Sequence, residues 1–403
     1  MSHDIIIIAA EPWKHYTWRR RHHVAWNLAK ENRVLFVEPP ITFFQPFTDI
    51  NLSWRHLLNL GKLKHQGRNL YSYSPWRKYL LSLPFSKIFD YKKMNQEDVC
   101  QSVKRAASKL GFKNPILWIY YHRYHYDYYG LFGEKLVVTD WYDKFTASVG
   151  VEIQKDEMSK IKNMENHILK KADVVFTVSA ALAQDVEERN KNVYVIPQGV
   201  DINSFLKNYN KENKISKRLQ HIEHPILGFL GIMHNKVDFA LLDYIATRQP
   251  AWSIVLAGRE WLKNKDDIKR YKTLRTRKNV HYIGEIQRQW IPVYLNCIDV
   301  CLIPMKKMEF NRYAAFLKVM EYLAAGKPIV AVDQEIKYDH SEFIKTAQNR
   351  DEFINRIKEC LIEGKNEVLE ARRKKVASEN SWEIRVKSML RIIEKKMEEE
   401  HID

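Results

Sequence analysis

Lys318 and Glu321 stand one turn apart in FLKVMEYLAAGKPIVAV, the stretch Phe316–Val332, and interrupt an otherwise apolar helix. At a spacing of three they share one helix face, which Ala325 continues at a spacing of seven. A lysine in the first turn of a helix adds its charge to the dipole and the unused N–H groups there, a combination that favours anions. An ionised carboxylate one turn on is a strong hydrogen-bond acceptor. The plain alternative is an exposed ion pair contributing about 0.3 kcal/mol.

The neighbouring elements decide where such a face would point. Phe316, Leu317, Val319, Met320, Leu323 and Ala324 cover most of the helix circumference, which predicts packing on several sides. Gly326 suits the left-handed residue past a helix end, and Pro328 stops any continuation. Ile329–Val332 and Asp299–Met305 read as buried strands on either side. Strand, loop, helix, turn and strand make a crossover unit of a parallel sheet, where ligands lie beyond the carboxyl ends of the strands. The loop Lys306–Ala315 and the first helical turn belong there.

The same alternation runs through the chain. In the first half, strands are predicted at Asp4–Ala10, Arg33–Glu38, Pro115–Tyr121, Lys135–Thr139, Asp173–Val178 and Val193–Pro197. Helices are predicted at Trp18–Asn32, Gln96–Leu110, Lys155–Lys171 and Ala180–Arg189. A polar stretch, Asn208–Glu223, reads as a linker, and the pattern restarts at Pro225–Leu230. The fold class is therefore α/β with two doubly wound halves, and a cleft between them is the default site. The expected division is an N-terminal domain at 1–205, a C-terminal domain at 206–380 and a terminal helix at 381–403.

Composition narrows the partners. The chain has 403 residues and a formal net charge of +17, which calls for an anionic partner such as nucleotide phosphates or an acidic membrane. The region 52–95 interleaves Arg55, Lys62, Lys64, Arg68, Arg77 and Lys78 with Trp54, Tyr71, Tyr73, Trp76 and Tyr79. Such mixing suits an anionic membrane surface, placed here at 52–93, or else solvated loops whose aromatics join the core. No nucleic-acid-binding module is recognisable. No apolar run approaches the ~20 residues needed to span a bilayer. Cys100, Cys297, Cys301 and Cys360 lack metal-ligand spacing and read as free thiols of a reducing cytosol.

Several segments together resemble the glycosyltransferase family 4 enzymes of the GT-B fold. They are ENHILKKADVVFTVSAALAQDV with NVYVIPQGVDINSF, then PILGFLGIMHNKVDFALL, NVHYIGEIQRQWIPVYLNCIDVCLIPM, KVMEYLAAGKPIV and NSWEIRVKSML. The opening, EPWKHYTWRRRHHVAWNLAKENRVLFVEPP, looks most like the teichuronic-acid and related surface-polysaccharide glycosyltransferases. The resemblance covers nearly all of the chain outside 52–95. It implies two Rossmann-like domains facing across a cleft, an acceptor-binding first domain, a nucleotide-sugar-binding second domain, and a C-terminal helix returning to the first.

The resemblance also implies roles. Glu321 takes the position of the carboxylate that binds the ribose hydroxyls of the nucleotide, with Lys318 towards the phosphates. The usual second glutamate, eight positions earlier, is Tyr313 here, and Glu309 lies in the same loop at the wrong spacing. The turn after Gly231 usually presents an arginine and a lysine to the diphosphate. Here it reads Ile232-Met-His-Asn-Lys236, leaving His234 and Lys236 as candidates, with Arg259 as a further cation. His122, after PILWIYY, is the candidate for orienting a sugar, ahead of His125; a surface or packing role is the alternative. Asp140 and Asp143 in TDWYDKF could take the acceptor's proton or simply cap turns. Arg20, Arg21, His22 and His23 could meet an anionic acceptor or lie solvated.

No D-x-D triplet occurs, so no metal and no cofactor beyond the donor itself is expected, and fixed cations would neutralise the leaving diphosphate. The expected activity is transfer of a sugar from a nucleoside-diphosphate sugar, UDP-linked by preference, to a lipid-linked or polysaccharide acceptor, with retention of configuration. The expected location is cytoplasmic, peripheral at the membrane's inner face. A sugar-nucleotide epimerase of the same fold and a non-catalytic basic binding protein are the alternatives.

Overall fold

The structure is a computed structural model, and it describes residues 2–14, 18–40, 60–76, 91–121, 127–144, 146, 155–207, 214–313, 315–335, 340–363 and 366–400. The chain forms two compact units. One comprises Met1–Ile196 with Val386–Asp403, the other Pro197–Arg385.

The first unit contains β1 (Asp4–Ile8), α1 (Arg20–Leu28), β2 (Arg33–Val37), β3 (Leu63–Gly67), β4 (Leu70–Tyr73), α2 (Tyr91–Lys109), β5 (Ile116–Ile119), β6 (Leu136–Trp141), α3 (Lys155–Lys171), β7 (Val174–Thr177), α4 (Ala180–Glu187) and β8 (Val193–Val195). Its sheet runs β3-β4-β2-β1-β5-β6-β7-β8. All neighbours are parallel except the β3–β4 hairpin at the edge. Ile5–Ile8 and Ile116–Ile119 are buried, as continuous apolar runs in a parallel sheet covered on both faces must be. The hairpin lies inside the region read from the sequence as a basic-aromatic insertion. Its outer strand β3 lies at the sheet edge and is half-exposed, so its polar and basic residues carry no strand-like apolar run, while β4 inside it is mostly buried.

The second unit contains α5 (Ile202–Leu206), α6 (Lys214–Leu219), β9 (Ile226–Leu230), α7 (Phe239–Arg248), β10 (Ser253–Ala257), α8 (Lys265–Arg275), β11 (Val280–Gly284), a single-turn helix at Arg288–Trp290, α9 (Ile291–Asn296), β12 (Val300–Ile303), α10 (Glu309–Tyr313), α11 (Leu317–Ala324), β13 (Ile329–Val332), β14 (Ile344–Ala347), α12 (Arg350–Glu363) and α13 (Glu367–Glu379). A final helix, α14 (Trp382–Glu400), begins in this unit and from Val386 onward belongs to the first. The six strands are all parallel, in the order β11-β10-β9-β12-β13-β14. That is the order of a dinucleotide-binding fold, reversing between β9 and β12, where ligands of such sheets bind. Among the described residues no helix is long and apolar enough to cross a membrane. The four cysteines are free.

Candidate functional site

Two glycine turns shape the carboxyl edge of the second sheet. The Gly231 amide donates to the Ala257 carbonyl (2.8 Å), and the Gly258 amide to the Gly284 carbonyl (2.8 Å), so the parallel ladder runs on past the strand ends. The Tyr282 hydroxyl donates to the Gly258 carbonyl (2.8 Å) and pins that turn. Gly258 has φ +140°, and a Cβ there would lie 1.9 Å from the Gly231 carbonyl oxygen. Only glycine fits, because the two backbones touch.

α11 is held against this edge by its apolar side. Val319, Met320, Tyr322 and Leu323 are buried, and the Tyr322 hydroxyl accepts from the Leu230 amide (3.1 Å) at the end of β9. The opposite face carries Lys318 and Glu321. The Lys318 ammonium sits 4.4 Å above the centre of the Phe229 ring. A Cβ at Gly231 would stand 3.0 Å from the same nitrogen, so the bare turn makes room for it. No side chain caps the start of α11, and its first turn holds no acid. Ammonium, glycine turn and open helix start thus converge at the switch point, and all three favour an anion.

The electrostatics separate this pair from an ordinary surface ion pair. Both side chains are crowded by protein yet keep some contact with solvent. Burial pushes the Lys318 ammonium down to about 8, against the pull of Glu321. Burial pushes the Glu321 carboxyl up to about 7, against the pull of Lys318 and Arg288. Each charge is therefore kept at a cost that a ligand supplying hydrogen bonds or countercharge would relieve.

Arg288 was not singled out from the sequence. It lies in the single-turn helix after β11 and pairs with Asp201, at the start of α5. Its only local signal is a lone cation between a strand end and the Trp290-Ile-Pro292 helix start. Its partner is 87 positions away, beyond any local pattern.

The loops after β9, β10 and β12 are tied together. Met233 donates to the Arg259 carbonyl (2.8 Å), and Lys306 to the Lys236 carbonyl (2.9 Å). Lys306 also pairs with the buried Asp267 at 2.7 Å. His234 acts within its own turn: its Nδ1 accepts from the Lys236 amide (3.1 Å). Lys236 and Arg259 both lie partly accessible on these loops, as does Tyr313 at the end of α10. Glu309 begins α10 and is exposed. Asn311 and Gln334 brace the loop from beneath, their amide nitrogens donating to the carbonyls of Lys306 (2.8 Å) and Met305 (3.1 Å).

In the first unit the candidates fare differently. Asp140 is completely buried; it accepts from Arg20 Nε (2.8 and 2.9 Å) and from the Tyr120 hydroxyl (2.7 Å). The expectation that it takes a proton from an acceptor is corrected: with both oxygens engaged and no path to solvent, it is a structural anion. Arg20 is buried as well, its Nε on Asp140 and its Nη1 on the Ile196 carbonyl (2.8 Å). Arg21 is buried, pairs with Glu11 and packs 4.6 Å from the Tyr142 ring centre, so neither arginine is the solvated or ligand-facing cation expected. His22 and His23 are buried too, and His22 Nε2 is 3.0 Å from the Pro12 carbonyl. Asp143 remains partly accessible beyond β6. His122 and His125 lie outside the described residues.

Comparison with known proteins bears on the second unit first. Residues 224–363 match the family described as Glycosyl transferases group 1. The matched segment lies within the second unit. This segment contains Gly231, Lys236, Arg259, Arg288, Tyr313, Lys318 and Glu321, and the resemblance read from the motifs holds there. TuaH of Bacillus subtilis (strain 168), provisionally described as a teichuronic acid biosynthesis glycosyltransferase, is 29% identical over 177 residues. The aligned part spans 43% of this chain and 43% of that relative. Among solved structures, the sucrose-phosphate synthase of Thermosynechococcus elongatus superposes with a TM-score of 0.70 at 16% identity, covering 98% of both chains. Anabaena Alr3699/HepE, in complex with UDP and glucose, gives a TM-score of 0.64 at 14% identity, over 98% of this chain and 100% of that one. At such identities the likeness gives the fold, and the fold is GT-B, the α/β class expected.

Proposed function

We propose that the protein is a glycosyltransferase that moves a sugar from a UDP-sugar to a lipid-linked or polysaccharide acceptor in the synthesis of a cell-surface glycan, with retention and without a metal. One observation carries this reading: Lys318 and Glu321, both strained towards neutrality, share a helix face over the Gly231 turn at the switch point of a nucleotide-binding sheet. A ribose offers two adjacent hydroxyl donors, and a single carboxylate can accept both. A diphosphate offers the charge that Lys318, the α11 start, Lys236 and Arg259 would neutralise. The relative described as a teichuronic acid glycosyltransferase and a fold neighbour solved with UDP support the choice of glycan and nucleotide.

In the reaction, the acceptor hydroxyl oxygen bonds to the anomeric carbon as the bond from that carbon to the β-phosphate oxygen breaks. The electron pair leaves with UDP, where Lys318 and the helix start stabilise it. Retention follows if the acceptor attacks from the leaving-group face and its proton passes to the departing phosphate. Tyr313, in place of the usual glutamate, would meet the donor sugar with a phenol rather than a carboxylate.

Incubation with UDP-, GDP- and dTDP-sugars plus acceptor glycan should release nucleotide, also in the presence of EDTA. Glu321→Ala should lower turnover by at least about 100-fold, the scale of losing a charged hydrogen-bond partner. Unchanged turnover in that variant would remove the site assignment.

The membrane partner is assigned to the edge hairpin. Lys62, His65 and Arg68 are exposed on it, and Trp76 just beyond is 47% exposed. The Arg68 guanidinium stacks 4.3 Å from the Trp26 ring centre and donates to the Trp26 carbonyl (2.8 Å). Basic and aromatic groups on one sheet edge suit an anionic lipid surface. Residues 52–59 and 77–90 lie outside the described residues. Flotation with phosphatidylglycerol vesicles should exceed that with phosphatidylcholine, and equal flotation with both lipids would end the assignment.

A further inference from the structure

Arg259 stands in a turn that is fastened on both sides. Before it, the Gly258 amide donates to the Gly284 carbonyl (2.8 Å), and the Gly258 carbonyl accepts from the Tyr282 hydroxyl (2.8 Å). The carbonyl of Arg259 itself accepts from the Met233 amide (2.8 Å), in the neighbouring Gly231 turn. After it, the Glu260 carboxylate is held from α8: one oxygen accepts from the Tyr271 hydroxyl (2.6 Å) and from Arg275 Nη1 (2.8 Å).

Arg275 joins these ties. It lies four positions after Tyr271 on α8, so the two share a helix face. Its Nη1 also donates to the Tyr271 hydroxyl (3.2 Å), which closes a ring of three groups. Its guanidinium carbon lies 4.4 Å from the centre of the Tyr282 ring, the tyrosine that pins Gly258. With side chains 39% and 44% exposed, Arg275 and Glu260 gain little stability from their ion pair alone. The geometry sets the arginine apart. A planar guanidinium can serve a carboxylate, a hydroxyl and a ring face at once, and the point charge of a lysine cannot.

Fixing the residues before and after Arg259 fixes the direction in which its side chain leaves the backbone. A cation already in place binds an anion without the entropy of ordering a loop. Resting on the role proposed for Arg259 at the diphosphate, we propose that Arg275 is a positioning residue for nucleotide binding: by clamping Glu260, Tyr271 and Tyr282 together it holds the Gly258–Glu260 turn rigid and keeps Arg259 where the phosphates lie. Arg275 acts through Arg259 and not by contact with the nucleotide.

The test is calorimetric binding of UDP to the full chain at fixed salt, with uridine measured by competition against it. Arg275→Gln should weaken UDP about fivefold, the scale of ordering one long side chain on binding, and leave uridine unchanged. Arg275→Lys should lose as much, because it keeps the charge and not the clamp. Tyr282→Phe, which removes only the hydroxyl on the Gly258 carbonyl, should also weaken UDP more than uridine. Added to Arg259→Ala, Arg275→Gln should cost nothing further. Unchanged UDP affinity in Arg275→Gln would overturn the proposal. So would an equal loss of uridine, which would mean general damage to the unit, or full rescue by Arg275→Lys, which would mean charge acting at a distance. Additive losses with Arg259→Ala would overturn it too. Arg259→Ala separates the two layers. If that variant binds UDP as tightly as wild type, the role of Arg259 fails; if it loses UDP while Arg275→Gln does not, only the role of Arg275 fails.

Discussion

Replacing Glu321 by glutamine should stabilise the empty protein while removing its ligand. The carboxyl titrates near 7 in the folded chain against an ordinary 4.5, so folding binds a proton between those values. A raised carboxyl contributes stability that is fully present below the unfolded pKa and is lost as pH rises through the folded one. The full gap, at ~1.4 kcal/mol per unit, sets a ceiling of roughly 3 kcal/mol. Residual solvent contact lowers this to about 2 kcal/mol. Glutamine has the shape of the protonated acid and never ionises, so it escapes the loss. At pH 5, just above the unfolded value, the variant should melt only slightly higher than wild type. At pH 8 the variant should melt higher by roughly 4–8 °C, taking about 2–4 °C per kcal/mol for a unit of this size. Lys318 itself titrates near 8 and loses the pull of Glu321 in the variant, so its own loss of charge contributes to the difference at pH 8. Differential scanning calorimetry at the two pH values reads the difference directly. UDP at 100 times its dissociation constant should add about 2.7 kcal/mol to the wild type and nothing to the variant. An equal melting difference at pH 5 and pH 8 would refute the reasoning, because the carboxylate would then not be desolvated in the fold.

Two further outcomes follow from the geometry. Gly258→Ala places a Cβ 1.9 Å from the Gly231 carbonyl oxygen at a φ of +140°, so it should cost upwards of about 4 kcal/mol and abolish soluble expression of the second unit; a variant with wild-type urea stability would show that the two turns do not touch. Asp140→Asn breaks the buried pair with Arg20 and should cost about 3 kcal/mol in urea unfolding while leaving the UDP affinity of the folded protein unchanged; full stability with selective loss of turnover would return Asp140 to catalysis.

Much of the fold was legible in the sequence because apolar periodicity and turn chemistry are local. The strands around Ile5–Ile8, Ile226–Leu230 and Ile329–Val332 are continuous apolar runs, and α3 begins and ends where its pattern does. The elements not anticipated were the strands β3, β4 and β14 and the helices α5, α6, α8 and α10, with α6 lying in the stretch read as a linker. β3 and β14 are short edge strands with no continuous apolar run to show, β4 is a buried strand of four residues next to the edge, and the helices are short or strongly polar. Spacing alone put Lys318 and Glu321 on one helix face, while the choice of a ligand-facing pair over an exposed one came from the resemblance.

Spacing could not say which charges the fold removes from water. Asp140 looked like a base and is a buried anion, because Arg20 reaches it from 120 positions away. Arg288 looked like nothing and pairs with Asp201 from 87 positions away. The sequence by itself determined the alternation of strands and helices and the chemical types at their ends. Only the tertiary structure decided which of those types meet, because ionisation depends on partners and burial supplied by segments far apart in the chain.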